Sequence, residues 1–276
     1  MNKLLVILDF DGTFTDVEIE GKPFVRHDRH ELAGLLGRDI APLWTEAERR
    51  LDEGDAGWDM GGRIVAPANC DPYIRSSCIA FTICDNLALL PDLELRTDIL
   101  QAFYKYCYRF TTTAFRPDAK ETLLRIQRTK VPVCVVTNSD PDVVRRKLEQ
   151  LGVAGLEVVG NARKYVVDPD VESVAGLDDV RVPSSRRPLL VRRPHYQRVL
   201  DTLWAKHGVD AAHTLVCGDI LELDLMLPLA RGAMGHLLER PNMLAYEREA
   251  LAHFGSRATS SPTLSGLADR VEALLR

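Results

Sequence analysis

The sequence has no apolar run near the roughly 20 residues that span a bilayer. The longest candidate near the N-terminus, Leu4 to Leu8, is stopped by Asp9. No membrane association is therefore expected. Met1-Asn2-Lys3 followed by so short a run also lacks the longer apolar stretch and small-residue cleavage site of a secretory signal, so the expected compartment is the cytoplasm. Excess positive charge is missing as well. Against 40 Asp+Glu stand 35 Lys+Arg, a formal charge of −5, which argues against non-specific nucleic-acid binding as the main activity. The six cysteines (Cys70, Cys78, Cys84, Cys107, Cys134, Cys217) include no CxxC pair, and several sit in apolar surroundings such as Val133-Cys134-Val135. Reduced core thiols are expected rather than a disulfide frame or a zinc site. Internal repeats and low-complexity tracts are absent too.

What is present is an ordinary globular composition: 276 residues, 46% hydrophobic and 27% charged. At this length folding removes roughly 75% of the unfolded chain's surface from water, and one large domain or two smaller ones fit. Lys3-Leu-Leu-Val-Ile-Leu-Asp9 is a short apolar run rich in branched residues, the pattern of a strand buried on both faces of a parallel sheet. Val131 to Thr137 and Thr214 to Asp219 repeat it, and Leu156 to Val159 and Met234 to Leu238 are further candidate strands. Between them the patterns at Pro117 to Arg128, Pro141 to Leu151 and His195 to His207 predict helices, the last two closed by Gly152 and Gly208. Strand alternating with helix implies right-handed crossovers and a parallel α/β sheet, with ligands bound beyond the carboxyl ends of the strands.

Residues 17 to 113 differ in character. Ile40 to Leu51, Pro72 to Leu90 and Leu93 to Phe110 read as helices, with a flexible break at Gly54, Gly57, Gly61 and Gly62. This block reads as a helical insertion forming a second domain. Asn161 to Arg187 reads as an irregular stretch, a small hairpin or a surface arm.

The chemistry gathers at the strand ends. Asp9-Phe10-Asp11-Gly12-Thr13-Phe14-Thr15-Asp16 follows the first strand, and two acids two residues apart reach one site at a turn. Gly12 permits a backbone that brings N–H groups close to an anion. Thr137-Asn138-Ser139 ends the second strand with a hydroxyl and adjacent N–H groups. Gly218-Asp219-Ile-Leu-Glu-Leu-Asp224 ends another. Carboxylates brought together there repel; at 4 Å and an effective dielectric of about 20 each pair costs on the order of 4 kcal/mol. A hard divalent cation such as Mg²⁺, which binds one or two carboxylates plus phosphate oxygens, resolves that conflict.

These ordered motifs resemble those of the haloacid dehalogenase superfamily of phosphotransferases: Asp9-Phe-Asp11-Gly-Thr-Phe-Thr-Asp16, Val-Val-Thr137-Asn138, a basic residue before a helix, then Gly-Asp219 and Asp224. The resemblance covers about residues 1–15 and 115–240. It implies a Rossmann-like parallel-sheet core, residues 1–15 and 115–276, with a helical cap domain, residues 16–114. It also implies a Mg²⁺-dependent phosphatase acting on a small phosphorylated metabolite. Asp9 is then the nucleophile that forms an aspartyl phosphate, and Asp11 the general acid and base. A carbon–halogen hydrolase would not need this second acid, so Asp11 favours phosphate chemistry. Mg²⁺ falls to Asp9, the Asp11 carbonyl and Asp219, with Asp224 as ligand or outer partner. Phe10, Gly12 and Asn138 are candidate substrate contacts, and Thr137 and the Asn138 N–H would hold phosphoryl oxygens. A phosphomutase on the same core, or a binding member without turnover, are the alternatives.

One motif departs from the family pattern. Where a Lys, often followed by Pro, is usual, this chain reads Arg192-Arg193-Pro194-His195. Arg193 is the preferred basic residue, with Lys164 its rival. His27, His30, Trp44, Trp58 and His195 are weaker candidates, for which solvent exposure, packing or helix initiation is the expected role.

Overall fold

Leu5–Leu8 is apolar and buried at every position, so it forms the strand β1 inside a sheet covered on both faces. In the computed structural model, residues 4–53, 58–59, 65–67, 69–185, 187–241 and 243–276 are described, without the side chains of 53, 58, 59, 65 and 66. After β1 come α1 (Val17–Leu36), α2 (Ala41–Glu53), β2 (Trp58–Asp59), β3 (Val65–Ala66), α3 (Pro72–Asn86) and α4 (Leu93–Tyr108). Then follow α5 (Ala119–Arg128), β4 (Val133–Val136), α6 (Pro141–Leu151), β5 (Glu157–Val159), α7 (Glu172–Ala175), α8 (Pro194–His207) and β6 (Thr214–Gly218). The chain ends with α9 (Met226–Ala230), β7 (Met234–Leu238), α10 (Ala245–His253), β8 (Ala258–Ser261) and α11 (Leu264–Leu274). Two units result: residues 1–16 with 115–276, and residues 17–114.

The first unit is a Rossmann-like α/β structure around a six-stranded parallel sheet of order β5-β4-β1-β6-β7-β8. Side chains alternate across it. Leu5 and Ile7 join Cys134, Val136 and Val216 in one apolar layer, packed with Tyr196 and Leu200 of α8, Met226 of α9 and Ala250 of α10. Val6 and Leu8 join Val135, Leu215 and Cys217 in the other, against Leu123 of α5, Val144 and Leu148 of α6 and Val271 of α11. Asp140 caps α6 by accepting from the N–H groups of Asp142 and Val143, and Gly152 closes it at φ 76°.

Of the two readings of 161 to 187, a surface arm is excluded and a hairpin-like pairing is present: the stretch contains α7, Val180 forms an antiparallel bridge with Leu189 just beyond it, and Val180, Val182, Leu189 and Val191 enter the first apolar layer. The strand β8, Ala-Thr-Ser-Ser at the sheet edge, escapes sequence reading because its residues carry little apolar signal.

The second unit is helical with one antiparallel β2–β3 pair. Trp44, Ala47 and Leu51 of α2 pack with Ile79 and Ile83 of α3, so Trp44 is a core residue. The helix α1 was not expected, since Glu20 and Asp28 are buried on it among Val17, Phe24 and Leu32 and it contains Pro23. His27 stacks on Phe110 at 3.7 Å, and His30 is exposed. The glycines at 54, 57, 61 and 62 and the Trp58 side chain lie outside the described residues. Among the described residues no helix is long and apolar enough to cross a membrane.

Candidate active site

The strands β4, β1 and β6 are neighbours, so the residues that follow them emerge side by side. Asp9 follows β1, Thr137 follows β4, and Asp219 follows β6. A wide π turn at Leu221–Leu225 then brings Asp224 back, where its Oδ2 accepts from the N–H of Ile220 at 3.0 Å. Carboxylate oxygens of Asp9, Asp219 and Asp224 lie within 4.8 Å of one another, and all three side chains are buried. Two glycines make this approach possible. A Cβ on Gly218 would stand 2.3 Å from the Asp224 Cβ, and one on Gly12 would stand 2.4 Å from Asp219 Oδ2. Gly12 also has φ +86°, which side-chain-bearing residues rarely adopt. Between the acids, the Thr13 hydroxyl lies 3.1 Å from Asp9 Oδ2 and 3.3 Å from Asp219 Oδ1.

Lys164 enters this cluster, and Arg193 does not. The Lys164 ammonium donates to Asp9 Oδ1 at 2.6 Å and to Asp224 Oδ1 at 2.8 Å, and lies 5.6 Å from the Tyr196 ring centre. Its backbone N–H donates to Asn138 Oδ1 at 2.8 Å, so the Asn138 side chain anchors the loop that carries it. The preference for Arg193 is thereby corrected. Its buried guanidinium is spent on Glu222 Oε1 at 3.1 Å, the Leu190 carbonyl at 3.1 Å and the Lys164 carbonyl at 2.5 Å. Arg187 holds the same Glu222 at 3.0 Å. Arg193 thus positions Lys164 from behind.

Asp11 stands apart from the three clustered acids. Its Oδ2 accepts from the Thr137 hydroxyl at 3.2 Å, and its Oδ1 from the Lys147 ammonium at 3.1 Å. The Thr137 Oγ1 also accepts from the Ser139 N–H at 3.0 Å. Phe10 is corrected as a side-chain contact: it is fully buried and packs in the apolar layer with Phe14. The Gly12 N–H is directed to Thr15 Oγ1 at 3.1 Å, so its visible role is to give Asp219 room. His195 contacts Arg198, not Arg193, at 2.8 Å.

The electrostatics follow from burial. Desolvation, opposed by Lys164 but reinforced by Asp224 and Asp219, pushes the Asp9 carboxyl well above the usual range. Burial alone would lower Lys164, but the carboxylates of Asp224 and Asp9 outweigh it and push its pKa up. Among the described residues Asp9 and Asp224 share the Lys164 ammonium, and Arg240 Nε lies a long 3.5 Å from Asp219. An all-oxygen donor set with surplus negative charge fits a hard divalent cation.

The model for haloacid dehalogenase-like hydrolases matches residues 4–226. The chain belongs to that family.

Its fold recurs in solved structures of other haloacid dehalogenase-like proteins. A predicted phosphoglycolate phosphatase from Haemophilus somnus 129PT superposes with a TM-score of 0.56 at 14% identity, over 99% of each chain. The putative hydrolase YfnB from Bacillus subtilis, bound to magnesium, gives 0.54 at 13% identity, over 99% of this chain and 100% of that one. A 2-haloacid dehalogenase from Pseudomonas syringae pv. Tomato DC3000 gives 0.52 at 17% identity, over 99% and 100%. At such identities the likeness concerns the fold. No curated protein matches the chain.

Four site residues of this hydrolase were not anticipated from sequence. Thr13 was in plain view within the first motif. Lys147 lies in the run Arg145-Arg146-Lys147 but three residues beyond the buried Val144, so helical phase could have turned it inward. Glu222 and Arg187 had no such signal, because their meeting depends on the π turn and the loop before Leu189.

Proposed function

We propose that this hydrolase is a divalent-metal-dependent phosphatase of small phosphorylated metabolites, working through an aspartyl phosphate on Asp9. The observation that carries this reading is the separation of two acids from one strand end. Asp9 sits buried against Lys164, while Asp11 stands partly exposed on Thr137 and Lys147.

In the first step an Asp9 oxygen attacks phosphorus and the ester P–O bond breaks. Asp11 gives its proton to the departing alkoxide. In the second, the Asp11 carboxylate takes a proton from water, the water oxygen attacks phosphorus, and the bond to Asp9 breaks, freeing inorganic phosphate. Lys164 holds Asp9 in place and opposes its burial, favouring the carboxylate needed for attack. Thr137 and Lys147 orient Asp11, and the Thr137 hydroxyl and Asn138 N–H supply donors for phosphoryl oxygens. Asp9, Asp219 and Asp224 would hold Mg²⁺, which would supply positive charge against that of the phosphoryl group. The helical unit, residues 17–114, is the counterpart of the family's inserted cap.

Support comes from the family, from the oxygen donor set and from Asp11, which haloacid hydrolysis does not require. Phosphate release from a panel of phosphorylated metabolites, run beside a panel of 2-haloacids, tests the reading. Release that needs a divalent cation and vanishes in Asp9→Asn is expected. Halide release without phosphate release would overturn it.

A further inference from the structure

A second polar cluster lies in the same unit, away from the carboxylates. Cys134 of β4 and Glu157 of β5 are register partners in the parallel sheet, so their side chains stand side by side on one face. The last residue of α8, His207, packs against both. Cys134 Sγ lies 3.5 Å from Glu157 Oε2 and 3.5 Å from His207 Nε2, and His207 Nε2 lies 3.5 Å from the same Oε2. These are three unlike donors at the corners of one nearly equilateral triangle.

The size of that triangle is informative. Tetrahedral zinc has bonds of about 2.3 Å to sulfur, 2.05 Å to nitrogen and 2.1 Å to oxygen, which place its donors about 3.6 Å (S–N), 3.6 Å (S–O) and 3.4 Å (N–O) apart. The observed edges match to about 0.1 Å. The other carboxylate oxygen, Glu157 Oε1, is held by Lys206 at 2.7 Å, the kind of outer hydrogen bond that fixes a ligating carboxylate and leaves its partner oxygen facing the metal. The α8 C-terminus contributes partial negative charge beside His207. Side chains of His207 and Glu157 keep 18% and 29% of their exposure, leaving a way in for the ion.

We propose that Cys134, Glu157 and His207 form a binding site for a thiophilic divalent cation of the zinc type, separate from the hard-cation site of the active centre. Cys134 lies three residues, about 10 Å, before Thr137 along β4, and His207 ends α8 about 20 Å from Arg193, so the two sites share no ligand. The sites also divide by chemistry, because oxygen donors select Mg²⁺ and a Cys/His/Glu set selects zinc-like ions. Binding replaces the thiol proton: Cys134 S–H and M²⁺ give a sulfur–metal bond and one proton released to solvent. Burial, reinforced by Glu157, pushes the free thiol up to about 12, so without a metal Cys134 is neutral and inert rather than a nucleophile. Once bound, the ion ties the end of α8 to β4 and β5. The inference does not depend on the phosphatase reading.

Cobalt substitution tests it. Tag-free, reduced full-length protein is titrated with Co²⁺, since only a thiolate ligand gives the near-ultraviolet sulfur-to-cobalt charge-transfer band. The expected result is that band at one equivalent, abolished by Zn²⁺, absent in Cys134→Ala and in His207→Ala, and kept in Asp219→Asn. With Mg²⁺ in large excess to occupy the carboxylate site, Zn²⁺ should also raise the Tm of the wild type by more than that of His207→Ala, a readout that stands even if Cys134→Ala fails to fold. A wild-type protein that shows no thiolate band under Co²⁺ overturns the proposal, as does a band that survives in Cys134→Ala or His207→Ala.

Discussion

Lys164 Nζ lies 2.6 Å from Asp9 Oδ1, and both groups are shut away from water. The Asp9 carboxyl is therefore met by a cation 155 positions away along the chain. Arg193 sits behind Lys164, on its backbone carbonyl and on Glu222.

That division of labour separates two substitutions. Lys164→Met is expected to lower kcat by about 10²- to 10³-fold, the usual cost of losing one preorganised electrostatic contact. Arg193→Met removes a buried partner of Glu222 and is expected to act first on folding, by on the order of 3 kcal/mol. Its kcat should fall at least about tenfold less than that of Lys164→Met. Denaturant melts and initial rates on the two purified variants check both outcomes.

The π turn rests on Gly218. In Gly218→Ala the new methyl would meet Asp224 at 2.3 Å, so the carboxylate must leave its place and its bond to the Ile220 N–H. Divalent-cation affinity and turnover should fall together. Gly34→Ala is the control: it lies in α1 with nothing within 4 Å of the added carbon, and should stabilise the protein by up to about 1 kcal/mol. Calorimetric titration and thermal melts read the pair.

Asp28 gives a pH dependence unrelated to catalysis. Burial in the helical unit, only partly opposed by a hydrogen bond from Cys107, pushes its carboxyl up to about 7. The folded value lies above the unfolded value of 3.8, so between those limits the folded state binds the extra proton and stability falls as pH rises. Above about pH 7 the penalty is complete. Asp28→Asn removes it, and should stabilise the protein by about 2 to 3 kcal/mol more at pH 8 than at pH 5. Urea melts of both proteins at the two pH values measure the difference.

Much of the first unit was legible because apolar runs bounded by Asp, Gly and Pro mark buried parallel strands and capped helices: the reading of α6 as Pro141 to Leu151 agrees residue for residue. Polar β8 and charge-rich α1 carried no such mark. In the site, Asp9, Asp219 and Asp224 were legible because each immediately follows or closely trails a strand. The choice between Lys164 and Arg193 was not, since both are basic residues in loops and only the fold brings one of them to Asp9. The Cys134–Glu157–His207 triangle was invisible for a related reason. Its members are 23 and 50 residues apart, joined only by strand register and the end of α8.

The central claim, that a phosphoryl group passes through Asp9, is tested most directly by acid-quenching a single turnover of an aryl phosphate carrying labelled phosphorus. Digestion and sequencing then locate the label. The expected result is an acyl phosphate on Asp9, seen in the wild type and absent from Asp9→Asn. Phosphate release that continues in Asp9→Asn, or label found on another residue, would contradict it.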